Sequence, residues 1–339
     1  MQVSKKFTAQ WHNVTAQTLQ EDIIPLYKPA ILKNAINDWD ITTKVAKSPN
    51  EILNYREEKI DYPPIGLFIG DKSIHGRYAY GQSVNERNFK QVETNLENIL
   101  AHLNNYTDDS PVTAYAGAVD IRSQLPQFER FNPFPILPKD KQAAPRAWIG
   151  NAAQISNHFD LSDNIACVVS GKREFTLFPP EQVSNLYVAP IDKTLAGPPA
   201  SLVDISQPDF DAHPRYAQAL ESAEIATLEP GDALYIPSLW WHSVKSTGKF
   251  CMLVNYWWNN PKFRQDNTMM AMIHGLFSIS HLPRAERQAW KSLFEYFVFQ
   301  LDEVALSHLP ENQRGVHSKM TPELHAMIYN YFTQNMKST

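Results

Sequence analysis

Between about residues 147 and 258 the chain falls into short apolar runs, AWIG, NIACVV, EFTLF, EIATL, ALYI, HSVK and FCMLVNYWW, separated by turn residues. Many short β-type runs at such spacing predict a sandwich or barrel of jelly-roll type. Residues 185–223 interrupt the rhythm with proline-rich text, VAPIDK, AGPPAS and QPDFDAHPRY. An irregular insertion of that length in a compact domain is often a functional lid.

Upstream the pattern is mixed. TAQTLQEDIIPLY reads as helix, KPAILKNAI as a short buried strand after a proline, and SPNEILNYREEK opens with a helix cap. IGLFIG, a turn at GDK, and GRYAYG predict a hairpin, residues 84–104 carry apolar positions at helical spacing, and PVTAYAGAV returns to extended structure. After Asn259-Asn260-Pro261 the spacing is helical to the end. Residues 264–279 put Met269, Met270, Met272, Ile273, Leu276 and Phe277 on one broad apolar face, and LPRAERQAWKSLFEYFVFQL and TPELHAMIYNYF continue it. Such a face needs cover, from the β-region or from a second copy of the chain. The expected organisation is an α+β segment over residues 1–110, a β-core over 111–260 carrying the insertion, and a helical region over 261–339. No internal repeat is visible.

Composition narrows the partners. At 339 residues with 43% apolar and 20% charged positions, the chain has enough apolar text for a sizeable core. A net charge of −5 gives the whole molecule no electrostatic reason to wrap nucleic acid. Cys167 and Cys251 both lie in strand-like apolar runs, which reads as buried free thiols and not as a disulfide framework. The amino terminus lacks the apolar core of a secretory signal, and MMAMIHGLFSI is too short to span a bilayer. A cytoplasmic location without membrane association is the resulting expectation. The acceptor patterns at Asn13 and Asn105 carry no weight without a secretion route.

The chemistry-bearing text is NHFDLSDNIACVVSGKREF. In strand geometry His158 and Asp160 project to one face while Phe159 points away. A third ligand from a distant strand is available in LEPGDALYIPSLWWHSV, where two turns frame a strand and His242 opens the next one. Two histidines and one carboxylate on one face of a metal leave the opposite positions open, as suits a non-haem Fe(II) oxygenase. Alone, the H-x-D is more often the text of a turn or cap; its pairing with the PGD–strand–WWH block favours metal.

WIGNAAQISNHFDLSDNIACVVSGKREFTLFPPEQVSNLY, EPGDALYIPSLWWHSV and LVNYWW, in that order, resemble the JmjC-type, cupin-like Fe(II)/2-oxoglutarate dioxygenases. The resemblance is to the branch containing the asparaginyl hydroxylase that acts on hypoxia-inducible factor. KPAILKNAINDWD also looks like the amino-terminal segment of that branch, so the likeness covers most of residues 25–260. It implies a mainly β fold: a double-stranded β-helix core with an α+β amino-terminal segment and a carboxy-terminal helical region. It implies that His158, Asp160 and His242 bind iron, and that 2-oxoglutarate and O2 are consumed as a C–H bond is hydroxylated. Asn164 and Asn255 match polar residues near metal and cosubstrate, and Tyr115 matches the tyrosine that touches the distal carboxylate of 2-oxoglutarate.

Two departures stand out. Where the branch has a lysine for that carboxylate, this chain has Arg173, with Lys172 just before it. Alternation puts Arg173 with Phe175 and Leu177 on the interior face and Lys172 with Glu174 on the other, which favours Arg173; a guanidinium offers a carboxylate a bidentate fork. Ile155 stands where close relatives have a threonine hydroxyl, leaving Ser156 or Gln154 as substitutes. Of the remaining polar and aromatic text, His213 reads as a solvated loop residue and His274 and His281 as packing or surface. Trp240, Trp241, Trp257 and Trp258 read as sheet interior and rim. The resemblance implies a protein or peptide substrate and a homodimer through the carboxy-terminal helices. A small molecule, an RNA base and a non-catalytic metal-binding module remain the alternatives.

Overall fold

The computed structural model describes residues 6–58, 60–107, 109–138, 141, 143–195, 197–259, 268–299 and 306–336. The expected junction at Asn260-Pro261, the start of the 264–279 pattern and the end of the 282–301 pattern lie outside the described residues. Among the described residues thirteen strands run in chain order: β1 Lys6–Phe7, β2 Ala9–His12, β3 Ala30–Lys33, β4 Ile65–Asp71, β5 Arg77–Tyr78, β6 Phe89–Thr94, β7 Val112–Asp120, β8 Pro145–Gly150, β9 Gln154–His158, β10 Asp163–Phe178, β11 Glu224–Leu228, β12 Ala233–Ile236 and β13 Trp241–Trp258.

β10 and β13 organise everything else. They pair antiparallel along their whole length, from Asp163↔Trp258 to Phe178↔Trp241, with irregularities around Val168, Ser170 and Lys172. Two bends in one ribbon let its halves serve two layers. One half joins the sheet β2-β3-β12-β10-β13-β8-β7-β4-β6; the other pairs with β11 and β9, which carry β1 and β5. NIACVV and EFTLF are therefore parts of one strand, as are HSVK and FCMLVNYWW. The jelly-roll architecture expected from the run spacing is what forms.

Period-2 burial explains the layers. Ala166 and Val168 face inward with Phe175, Leu177, Leu228, Leu234, Ile236 and Leu253. Ile165, Cys167 and Val169 face the opposite way and are covered by Leu19, Ile23, Trp39, Tyr55, Leu96, Ile99 and Phe128 of the amino-terminal half. On the other layer Phe178 and Trp241 are covered by the insertion through Leu186, Val203, Tyr216 and Ala219.

Two expectations fail locally. IGLFIG and GRYAYG form no hairpin: β4 pairs with β6 and β7, while β5 runs parallel to β9. His75 and Gly76 both adopt positive φ there and swing the chain away after a single 3-10 turn. Residues 84–104 are not one helix. Phe89–Thr94 pairs as an edge strand with β4, and the helix is Leu96–Asn104, capped by the Asn95 side chain on Asn98 N–H. Edge pairing overrides helical spacing in its first half.

The chain divides into two compact units, Met1–Asn259 and Asn260–Thr339. The second contains helices Thr268–Ile279, Arg284–Phe297 and Pro322–Met336. Among the described residues no helix is long and apolar enough to cross a membrane.

Candidate metal and cosubstrate site

β9 ends at His158, so Asp160 comes from the turn that follows and not from the same strand as alternation predicted. The turn is held by Leu239 N–H donating to the Asp160 carbonyl at 2.8 Å. His242, at the start of β13, sits opposite His158 in register, with the ring centroids 4.4 Å apart. His242 Nε2 lies 3.8 Å from Asp160 Oδ2, and the three ligand atoms are all within 4.8 Å of one another. Among the described residues this is the one such cluster; His274 and His281 join none.

Backbone contacts select the tautomer. His158 Nδ1 is 2.8 Å from the Ser156 carbonyl and His242 Nδ1 is 3.0 Å from the Trp240 carbonyl. With Nδ1–H donating, each Nε2 lone pair is left for a metal, the usual way outer hydrogen bonds orient a ligating imidazole. Burial, reinforced by His158, lowers His242 to about 4, so it stands neutral in the ligating form. Two imidazoles, each with Nε2 turned to the cluster, and one carboxylate fit Fe(II) with positions left open.

The cluster lies in the wall of a cavity of about 350 Å³ between the two layers. Asn164 and Asn255 also line it, Asn255 Nδ2 donating to Asn164 Oδ1 at 2.8 Å while Asn255 Oδ1 is buried with no protein partner among the described residues. Tyr115 lies in the same wall, stacked on Trp148 with centroids 6.0 Å apart. Burial pushes its hydroxyl well above the usual tyrosine range, so it stays a donor.

Arg173 is 3% exposed, lines the cavity, has Nε without a partner, and makes no ion pair among the described residues. Its aim depends on a bulge. Asn164, Ala166 and Val168 face inward at even positions, Arg173, Phe175 and Leu177 at odd ones, and the register break around Gly171 makes the change. Gly171 has φ +73°, and a Cβ there would lie 2.7 Å from Cys251 Sγ. Lys172 consequently points outward, its Nζ 2.8 Å from Glu229 with both side chains half or more exposed. As a cosubstrate ligand Lys172 is corrected: it does not reach the cavity.

Ile155 lines the cavity without a hydroxyl. Gln154 Oε1 is taken by Ser206 at 2.6 Å, and Ser156 Oγ leans on the Tyr78 carbonyl at 3.4 Å. His213 packs edge-on against Tyr187 at 4.7 Å, away from the cavity lining. Of the four tryptophans, Trp257 lines the cavity while Trp240, Trp241 and Trp258 are buried elsewhere.

Several cavity residues went unread in the sequence: Trp148, Tyr78, Phe68, Phe89 and, from the insertion, Leu195 and Ala200. Ala200 forms a bridge with His158, and Ser201 N–H donates to the Asn157 carbonyl at 2.7 Å, so the insertion is stitched to the metal-bearing strand. One signal was available for Trp148. Gly117 interrupts β7, and a Cβ there would lie 2.7 Å from the Trp148 ring; a glycine inside a strand marks such a close approach.

Comparison with known proteins agrees with this geometry. A lysine-specific demethylase, JMJ31 of Arabidopsis thaliana, is 35% identical over 114 residues, 33% of this chain and 20% of that one. tRNA wybutosine-synthesizing protein 5 of Mus musculus is 32% identical over 143 residues, 42% of each chain, and its Danio rerio counterpart 25% identical over 259 residues, 73% and 74%. The chain thus spans a fifth and about two fifths of the first two relatives. These relatives bear on the family and not on the asparaginyl-hydroxylase branch. The cupin-like domain family matches residues 16–264, which takes in β3 to β13 and all three metal-ligand candidates, and the chain belongs to this JmjC-type, cupin-like family.

Proposed function

We propose that this chain is an Fe(II)/2-oxoglutarate-dependent oxygenase that hydroxylates an unactivated C–H, on a protein or peptide side chain. One observation carries the reading: the His158–Asp160–His242 cluster shares its cavity with Arg173, a buried cation that has no carboxylate of its own among the described residues. A buried unpaired charge is costly, so such a group is retained where a ligand supplies the counter-charge.

His158, Asp160 and His242 would hold Fe(II), with Asn164 and Asn255 beside it. Arg173 and Tyr115 would grip the far carboxylate of 2-oxoglutarate. The bound metal, with 2-oxoglutarate and O2, supplies the oxidising chemistry, with succinate and CO2 as coproducts. The chain's own part is orientation and exclusion of water, through Phe68, Phe89 and Leu195 around the cavity. Anaerobic titration with Fe(II) and 2-oxoglutarate tests this through the visible charge-transfer band of the chelate. The band is expected in the native protein and not in a His158→Ala, Asp160→Ala variant; its absence from the native protein refutes the reading.

A second reading, an RNA base as substrate, rests on the Danio rerio relative, named for tRNA wybutosine synthesis and matched over about three quarters of both chains. The net charge of −5 speaks against it. tRNA-stimulated turnover of 2-oxoglutarate would decide for it. The carboxy-terminal unit exposes Trp290, Leu293, Phe294 and Phe297 on one helix, and a homodimer through such faces is part of this proposal. A monomeric mass in solution would remove that part.

A further inference from the structure

From the way the cavity is built around Arg173, and resting on the cosubstrate reading above, we infer that Ser246 supplies the hydroxyl that Ile155 lacks and donates to the same carboxylate as Arg173. Ser246 is the direct cross-strand partner of Arg173 in the β10–β13 register, is 4% exposed, and lines the cavity. Paired residues on one face of a sheet bring their side chains side by side. The hydroxyl and the guanidinium therefore meet the same end of the cavity.

Among the described residues the hydroxyl of Ser246 has only neutral acceptors, the Cys251 sulfur among them. Oγ accepts from Ala153 N–H at 2.9 Å, and the hydroxyl donates to the Ala153 carbonyl over a long 3.3 Å. That carbonyl already accepts from Ser246 N–H at 2.8 Å. An ionised carboxylate is a stronger acceptor than a carbonyl served by another donor, so the proton swings toward it without orphaning a backbone group. The two β9 substitutes are worse placed. Gln154 is bound to Ser206, and the other hydroxyl on that wall, that of Tyr78, is 3.1 Å from Thr113 Oγ1. Ser156 faces the cavity but leans on the Tyr78 carbonyl across from β5, and it is not in register with Arg173.

Ser246→Ala keeps the backbone bond from residue 246 to the Ala153 carbonyl but removes the Oγ that accepts from Ala153 N–H, so a lower thermal midpoint is expected and the affinities are compared on folded protein. Anaerobic titration of the Fe(II)-loaded native protein and variants with 2-oxoglutarate, read on the charge-transfer band, gives the affinities; Fe(II) affinity and the thermal midpoint are read alongside. Ser246→Ala is expected to bind 2-oxoglutarate roughly tenfold more weakly with Fe(II) affinity unchanged. Ser246→Thr keeps the hydroxyl and should stay near native affinity. Ile155→Thr added to Ser246→Ala should recover most of the loss, because it returns a hydroxyl to the cavity from β9 on a side chain of the same branched shape. Native-like affinity in Ser246→Ala overturns the assignment. So does a loss that Ile155→Thr does not restore and that falls equally on Fe(II) affinity. A native protein without the band refutes the metal–cosubstrate reading itself, whereas a native band unaltered in Ser246→Ala refutes only the role of Ser246.

Discussion

Arg173→Met should make the ligand-free protein more stable while abolishing its response to 2-oxoglutarate. The side chain is 3% exposed with no ion pair among the described residues, so folding strips the guanidinium of water and returns the neutral Cys251 thiol but no counter-charge, with Nε unpartnered. Replacing buried charge by a well-packed apolar chain of similar length is worth about 1–4 kcal/mol. Near the melting midpoint a folded unit of roughly 250 residues gains about 2 °C per kcal/mol. The variant should therefore melt about 2–8 °C above the native protein in the absence of ligand. With 2-oxoglutarate and Fe(II) under nitrogen the gap should shrink by about 5 °C, because only the native protein responds. The native protein gains about 2.7 kcal/mol at a hundredfold excess over Kd, or about 5 °C. The variant, short of two charge-assisted hydrogen bonds worth about 1.5–3 kcal/mol each, binds roughly 10²–10⁴-fold more weakly and gains nothing measurable. Differential scanning calorimetry with and without the acid reads both halves. A variant that melts below the native protein without ligand would mean the charge is compensated inside the fold. A shift with 2-oxoglutarate that survives the substitution would remove Arg173 from the cosubstrate site.

Three further outcomes follow from the same geometry. Lys172→Ala should leave 2-oxoglutarate affinity unchanged by titration and stability within about 0.5 kcal/mol by denaturant unfolding, because its exposed pairing with Glu229 is worth little. Gly171→Ala should cost about 1–3 kcal/mol by the same unfolding assay and weaken 2-oxoglutarate binding, since φ +73° and the Cys251 Sγ contact oppose a Cβ and the bulge aims Arg173. Phe128→Ala, a fully buried ring against Trp39 and Tyr55 far from the cavity, should cost about 3–5 kcal/mol while leaving the charge-transfer band in whatever fraction remains folded.

Relatives named for different activities share this family, so the fold by itself does not choose a substrate. Around the metal-ligand candidates this chain places an arginine on β10, an isoleucine on β9, and an insertion bonded to the strand that carries His158. Those are the places where variants will report on specificity.

The sequence by itself determined the β-core, the strand runs and the three metal-ligand candidates. Each rests on local text: alternation in NIACVV and EFTLF, turn residues at PGD, and polar residues in an apolar setting at His158 and His242. Arg173 was legible too, but only when parity was counted from Phe175 and Leu177. Counted from Asn164 and Val168, the same strand would have pointed Lys172 inward. The bulge at Gly171 decides between them, and a bulge arises from how two paired strands accommodate one another. Tertiary structure likewise decided that residues 89–94 form an edge strand against β4, that Asp160 reaches its histidines from a turn, and that Ser246 stands opposite Arg173. Local pattern sets which face a side chain shares with its neighbours along the chain. Only pairing between distant segments sets which side chains meet across the cavity, because register is a property of two strands and not of one.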